Sequence, residues 1–127
     1  MEAVKFTSPV PDEDKSLSGE ERNYQNTYSN SVVVGQVMIF NDSDRSTFWA
    51  LGSNRSKPPS SSELYIGKHV GEDSDTTRAD EVIGYIVIEA GSGTVGEHSY
   101  VAGLGGVASK ALITALPTAT RLVVYNP

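Results

Sequence analysis

The sequence predicts an all-β protein, built as an antiparallel β-sandwich, on three observations. Residues 81–89 read EVIGYIVIE, and six of the seven inner residues are β-branched or aromatic. Residues 31–40 form a second apolar run, and further short apolar runs alternate with turn-rich loops. A short, wholly apolar strand is buried on both faces, which requires two packed layers. Short strands separated by such loops are typical of an antiparallel sandwich.

The first half of the chain predicts two strands. Residues 2–6 suit a short leading strand, whereas residues 9–22 are polar and acidic and predict a loop. Residues 31–40 read SVVVGQVMIF and are apolar on both alternating faces, so we expect a second central strand with a possible bulge at Gly35. We expect this strand to lie beside the one at residues 81–89, in the middle of the two layers. The cluster Asn-Asp-Ser-Asp at 41–44 then predicts a turn.

Four more strands are expected before the tail. Residues 45–51 place Phe48 and Trp49 on opposite faces of a third strand, and the proline- and serine-containing residues 52–62 suit an exposed loop. The remaining predicted strands are the fourth at residues 63–70, the fifth at 81–89 and the sixth at 94–104.

The tail has a different pattern from the rest of the chain. Residues 108–116 place alanine and leucine at i, i+3, i+4, i+7 and i+8, between Gly105-Gly106 and Pro117. This spacing predicts a short amphipathic C-terminal helix. Residues 122–125 suit a last strand.

Size and charge narrow the functional classes. A chain of 127 residues suggests one domain with a real core, and the absence of cysteine excludes disulfides and thiolate chemistry. The net charge is −6 and the ten basic residues are spread along the chain, which disfavours nucleic-acid binding. No segment is long enough to cross a bilayer, and the N-terminus lacks the features of a secretory signal. We therefore expect a soluble chain, either cytoplasmic or cut from a longer precursor.

Three acidic clusters are the most polar features, at residues 12–14, 42–44 and 72–75. Their carboxylates could supply oxygen ligands to calcium, although the EF-hand pattern is absent. The alternative is a set of solvated turns in which Asp and Ser bond their own backbone. Catalytic motifs are missing: there is no nucleophile elbow, dinucleotide fingerprint or phosphate loop, and the two histidines lack zinc spacing. We therefore expect no enzyme activity.

Aromatic residues offer a possible sugar-stacking platform. Trp49, Tyr65, Tyr85 and Tyr100 could hold a carbohydrate beside polar groups, or they could fill the core, which is the better interpretation for Tyr85. Trp49 and Arg45 are the stronger candidates for binding because they follow a turn that we expect to be exposed.

Five long motifs resemble one known module. They lie at residues 2–6, 28–37, 41–50, 67–81 and 84–94, and the stretch GKHVGEDSDTTRADE at 67–81 is the most specific. Together they resemble a repeat module of large extracellular and surface proteins of aquatic microbes, which is distantly similar to the H-type lectin sandwich. The resemblance implies an extracellular or cell-surface location within a longer protein.

The resemblance covers residues 2–106, which we assign to one β-sandwich module of jelly-roll or H-type-lectin-like character. Residues 107–127 depart from it, and we hypothesise a frameshifted or truncated end that leaves an unpaired sheet edge open to self-association.

The resemblance and the loop residues together predict a non-catalytic binding or adhesion module, with glycans or other surface proteins as partners. A structural repeat of a surface fibre without a small ligand is the alternative, and a fragment of a polysaccharide-active enzyme is the third. The candidate ligand-binding residues are Asp42, Asp44, Arg45, Trp49, Asp73, Asp75 and Arg78, with calcium as a possible cofactor.

Overall fold

The protein is described here from a computed structural model, covering residues 1–8, 11–12, 19–54, 57–70, 74–75, 77–104, 110–115 and 121–125. These residues form β-strands and no helix, so the all-β prediction is confirmed. In chain order the strands are β1 (Glu2–Ser8), β2 (Pro11–Asp12), β3 (Glu20–Asn23), β4 (Ser31–Val37), β5 (Thr47–Leu51), β6 (Glu63–His69), β7 (Glu81–Glu89), β8 (Gly91–Val95), β9 (His98–Leu104), β10 (Lys110–Ala115) and β11 (Arg121–Tyr125).

The first sheet is built around β7, which lies between β1 and β4 and is antiparallel to both. The pairing of β4 with β7 runs from Ser31↔Glu89 to Val37↔Ile83 without interruption. The prediction that the two apolar segments lie side by side is therefore confirmed. Within the described residues β4 is an edge strand, so its prediction as a central strand is wrong. The unbroken register also shows that the bulge predicted at Gly35 is wrong.

The second sheet is built around β6. β5 pairs with it antiparallel along one edge, while β3 and the two-residue β2 share the other edge. Among the strands that the structure describes, every pairing is antiparallel except that of β2 with β6. β3 begins inside residues 9–22, which were predicted to be a loop. That prediction is wrong at this point because the strand reads EERN and has no apolar alternation to reveal it.

The main core lies between the facing sides of these two sheets. Ile83, Tyr85 and Val87 of β7 are 0%, 3% and 0% exposed, and Leu64 and Ile66 of β6 are 0% exposed. Full burial of each aliphatic side chain contributes roughly 1.5–3 kcal/mol. The core is completed by Tyr28, Val33, Phe48 and Ala50, with Val4, Phe6 and Tyr24 at its border.

A third sheet, in the order β11-β10-β9-β8, covers one end of the outer face of the first sheet. Ala102 of β9 packs there in a second apolar cluster with Val32, Val34 and Ile88. Farther along the same face Ile86 is 40% exposed. The expectation that β7 is buried on both faces is therefore correct only where β9 covers it.

The C-terminal helix predicted for residues 108–116 is wrong, because residues 110–115 form β10. This strand pairs antiparallel with both β9 and β11. Ile113 and Thr114 are β-branched, and strand pairing on both edges outweighs the weak helix preference of an alanine-rich segment. The last strand predicted at residues 122–125 is confirmed as β11. The module boundary at residue 106 stays a prediction.

The single strand predicted for residues 94–104 is also wrong, because this region belongs to the hairpin of β8 and β9. Val95 pairs with His98 across a two-residue turn, and Gly96 has a φ of 60° there. Glycine adopts this left-handed conformation without steric cost, which explains the tight reversal.

Candidate functional site

The buried carboxylate of Glu81, at the start of β7, holds the β4–β5 loop in place. Glu81 is 3% exposed. Its Oε1 accepts hydrogen bonds from the backbone N–H groups of Asn41 and Asp42, both at 3.0 Å. A charged acceptor makes these bonds stronger than neutral ones. The loop predicted to carry ligand-binding residues is therefore fixed to the central strand of the first sheet.

Asp42 joins that loop to the segment before β7. Its Oδ1 accepts the N–H of Asp44 at 2.9 Å and its Oδ2 accepts the N–H of Ala79 at 2.6 Å. These two bonds hold the pKa of Asp42 below its usual value. Asn41 adds a third link by donating from Nδ2 to the Asp80 carbonyl at 3.0 Å. The structure thus brings the β4–β5 loop together with the segment before β7, and both carry predicted ligand-binding residues.

Arg78 lies inside its own loop rather than facing solvent. It is 7% exposed, and its Nη1 donates to the carbonyl oxygens of Asp75 at 2.5 Å and Thr77 at 2.9 Å. Asp75 accepts the Thr77 N–H at 3.0 Å in a local turn. Arg78 therefore acts as a loop organiser in this conformation, and the prediction for Asp73 falls outside the described residues.

Lys68 lies beneath the same loops and was missed by sequence reasoning. It is 0% exposed, and its Nζ donates to the Ala79 carbonyl. Burial lowers the pKa of Lys68, while the carboxylates of Glu81 and Asp80 oppose that shift. The signal was present in β6, because Lys68 follows Leu64 and Ile66 at strand spacing and so shares their core-facing side.

Trp49 does not offer a stacking surface. It is 2% exposed and lies on the outer side of the second sheet, where a Cβ at Gly67 or Gly19 would overlap its indole ring. The expectation of an exposed ring at this position is therefore wrong. The physical reason is that two glycines from other parts of the chain leave a slot that the indole fills.

A cavity of about 390 Å³ opens beside the β4–β5 loop. Phe40 at its wall is 68% exposed, and the side chains of Asp44 and Arg45 are exposed next to it. Two of the predicted ligand-binding residues therefore line a cavity together with an aromatic ring. The complete lining is Val37, Met38, Ile39, Phe40, Asp44, Arg45, Ser46 and Glu81.

A second, largely apolar depression of about 430 Å³ lies on the outer face of the first sheet, where β9 does not cover it. Gly84 forms its floor and Met38 packs over that glycine, since a Cβ at Gly84 would collide with the Met38 Sδ. Met38 also lines the loop cavity, so the two depressions adjoin. Lys5 is the charged side chain at its rim.

Each carboxylate oxygen of Asp42 accepts one backbone N–H bond, so calcium coordination there would use the remaining lone pairs of these oxygens. In the part of the chain that the structure describes, no three acidic, histidine or cysteine side chains are grouped to hold a metal ion. The described residues also include no helix that is long and apolar enough for a membrane span.

Comparisons with family models, with curated proteins and with solved structures found no match to this chain. The fold and the cavity therefore define the class of protein only as an antiparallel β-sandwich with an aromatic-lined loop cavity at one end.

Proposed function

We propose that this protein is a non-catalytic glycan-binding module whose ligand occupies the loop cavity. The observation that carries the proposal is Phe40, a ring 68% exposed beside the exposed pair Asp44 and Arg45. An aromatic face with adjacent charged hydrogen-bonding groups is a common arrangement for holding a sugar. In this proposal Phe40 takes the stacking role that the sequence suggested for Trp49.

The exposure of Phe40 needs a functional reason. It continues a run of exposed apolar side chains, with Met38 at 49% and Ile39 at 44%. A contiguous exposed apolar patch is typical of an interaction site. Phe40 is the aromatic residue in that run. Its side chain has few rotatable bonds, so it loses little conformational entropy when a sugar stacks on it.

Preorganisation supports binding at this loop. The N–H groups of Asn41, Asp42 and Asp44 are all bound by the carboxylates of Glu81 and Asp42. A loop already held in one conformation loses less entropy when a ligand binds. The bonds to Asp42 also lower its pKa, which favours the ionised carboxylate and disfavours its use as a proton donor.

The test is a glycan array followed by titration calorimetry on the best ligand, with and without calcium. Phe40→Ala should weaken binding by up to about tenfold, since one stacking contact contributes roughly 0.5–1.5 kcal/mol. Phe40→Trp should retain binding and Phe40→Leu should not, since only the first keeps an aromatic face. Val95→Ala, at a 40% exposed position on β8, is the control for loss of an exposed apolar side chain.

Two results would count against the proposal. One is the absence of binding by any glycan at millimolar concentration. The other is equal binding by Phe40→Leu and the unchanged protein, which would indicate a general apolar contact.

The resemblance to surface modules supports an extracellular location within a longer protein, and this location is part of the proposal.

A further inference from the structure

The outer face of the first sheet carries a single charged side chain. Phe6 of β1 and Ile83 of β7 belong to the main core, so the residues that alternate with them lie on the outer face. Among the residues that β1, β4 and β7 place on that face, Lys5 is the one with a charge, and Thr7 and Gln36 are the other polar ones. The chain as a whole has a net charge of −6. This face is therefore a mostly apolar surface with one cation on an acidic protein.

The depression of about 430 Å³ on this face has a glycine at its centre. Lys5, Gly84 and Gln36 form one row across the sheet, because Gly84 is the register partner of both of the others. Gly84 has no side chain, so the row is low in the middle and polar at both sides. The Cα atoms of the two flanking residues lie about 10 Å apart, since each strand spacing is about 4.8 Å.

Apolar side chains continue the depression along the strands. The next row contains Ile86, which is 40% exposed, and its partner Val34, which packs with Ala102 of β9. The third sheet therefore closes this end. Toward the other end Met38, which is 49% exposed, packs over Gly84. A methionine side chain is flexible and adapts to the shape of an apolar guest.

We propose that this depression binds a medium-chain fatty acid, with its carboxylate at Lys5 and its alkyl chain along Ile86 and Met38. The Lys5 ammonium supplies the opposite charge, and the Gln36 amide can donate a hydrogen bond to the same carboxylate. Small-molecule pockets measure about 300–1,000 Å³ and combine a mostly apolar lining with a few polar groups. The depression has both properties.

The dimensions favour a small molecule over a protein partner. Three rows and three strands give the depression a footprint of roughly 13 Å by 10 Å, or about 130 Å². One side of a specific protein–protein interface buries about 800 Å². The charge then selects among small amphiphiles, because a cationic head group would be repelled by Lys5 and an uncharged one would gain nothing from it.

Titration calorimetry with a set of amphiphiles tests the proposal. Decanoate should bind with a Kd below about 1 mM. Decyltrimethylammonium should bind at least about threefold more weakly, although a general apolar surface on a chain of net charge −6 would prefer the cation. Hexanoate should bind at least about tenfold more weakly than decanoate, because it has four fewer methylene groups to bury.

Substitutions at Lys5 test the charge at an exposed position. Lys5→Met keeps a side chain of similar length without the ammonium, and it should weaken decanoate binding by about two- to fivefold. It should not weaken the binding of decyltrimethylammonium. Lys5→Glu should reverse the preference between these two amphiphiles, because it sets a carboxylate where the ammonium was.

A substitution at Gly84 tests the location. Gly84→Val fills the centre of the depression and should weaken decanoate and decyltrimethylammonium alike, by at least about tenfold. Gly103→Val is the matched control on β9, since a Cβ there meets nothing within 4 Å. It should leave decanoate binding within about twofold of the unchanged protein.

Three results would overturn the proposal: a decanoate Kd above about 1 mM, a preference that Lys5→Glu does not reverse, or equal effects of the two valine substitutions. The fatty-acid site does not rest on the glycan proposal. Phe40→Ala should leave decanoate binding within about twofold, and a larger loss would place the amphiphile in the loop cavity instead. Glycan binding is measured with a different ligand, so failure of one proposal is distinguishable from failure of the other.

Discussion

The two faces of β7 share one strand but have opposite environments. Ile83 and Tyr85, on the core side, are 0% and 3% exposed, whereas Ile86 on the other side is 40% exposed. Both faces are composed of similar apolar residues. The difference arises because the second sheet covers all of one face, while the third sheet covers only the end near Ile88. The apolar sequence of a strand therefore predicts that another sheet packs against at least one of its faces. It does not predict how much of the strand that sheet covers.

The sharpest test of this comparison is a pair of alanine substitutions. Ile83→Ala should lower the free energy of unfolding by about 2–5 kcal/mol, because it leaves a cavity between two sheets. Ile86→Ala should cost less than about 1 kcal/mol, because its side chain is already partly in water. Urea unfolding midpoints measure both. Equal losses would show that the outer face is covered as fully as the inner one.

The outer face of the second sheet offers a contrast with the open outer face of the first. Trp49 seals it by lying against Gly67. Gly67→Ala should cost about 1–3 kcal/mol, because a methyl group would overlap the indole and the core cannot expand freely. Gly103→Ala is the matched control, since a Cβ there meets nothing within 4 Å. Thermal unfolding of both variants is the measurement, and a neutral Gly67→Ala would contradict the tight packing of Trp49.

The two ends of β7 also differ. Glu81 is 3% exposed and binds two backbone N–H groups, whereas Glu89 binds those of Ser29 and Asn30 at a more open position. Glu81→Gln should cost about 1–2 kcal/mol and Glu89→Gln less, since a buried charge-assisted bond is harder to replace with water. Chemical denaturation compares them. A larger loss at Glu89 would reverse this ranking of the two ends.

The smallest expected effect is that of Asp42→Asn on the pH dependence of stability. Asp42 lies in the loop that Glu81 holds. The backbone bonds to Asp42 lower its pKa in the folded state below 3.8. A carboxyl with a lowered folded pKa stabilises the fold above its unfolded pKa, and that stability is lost as the pH falls through the folded value. Asp42→Asn should therefore flatten the acid limb of the stability curve below pH 3.8. An unchanged acid limb would show that Asp42 does not link the two loops in solution.

Sequence reasoning succeeded where the signal was local to one strand. The β-branched composition of residues 81–89 and 31–40 predicted both strands and their pairing, because such residues pack well on a pleated surface, although the second strand ends at Val37. It failed at β10, where hydrogen bonding on both edges decided the conformation of an alanine-rich segment. It also failed at β3, where the strand is charged and pairs only because β6 offers an edge.

For the candidate site, too, the sequence predicted local features but not the contacts between distant segments. The sequence indicated that Asp42 and Arg78 lie in loops that carry polar side chains, and the structure brings these loops together. It placed Trp49 and Phe48 on opposite faces of one strand, which is confirmed by their pairing with Gly67 and Lys68. It did not predict that Trp49 is buried and that Phe40 is the exposed ring, because the covering atoms come from distant segments.

By itself, the sequence determined that the two β-branched segments are extended and which of their side chains share a face of the strand, since these follow from backbone sterics and a two-residue period. Only the tertiary structure decided which faces are covered, which edges are free and which carboxylates bind backbone N–H groups. Burial and edge pairing depend on contacts between residues far apart in the chain. The pattern of any single strand contains no information about how far its neighbours extend.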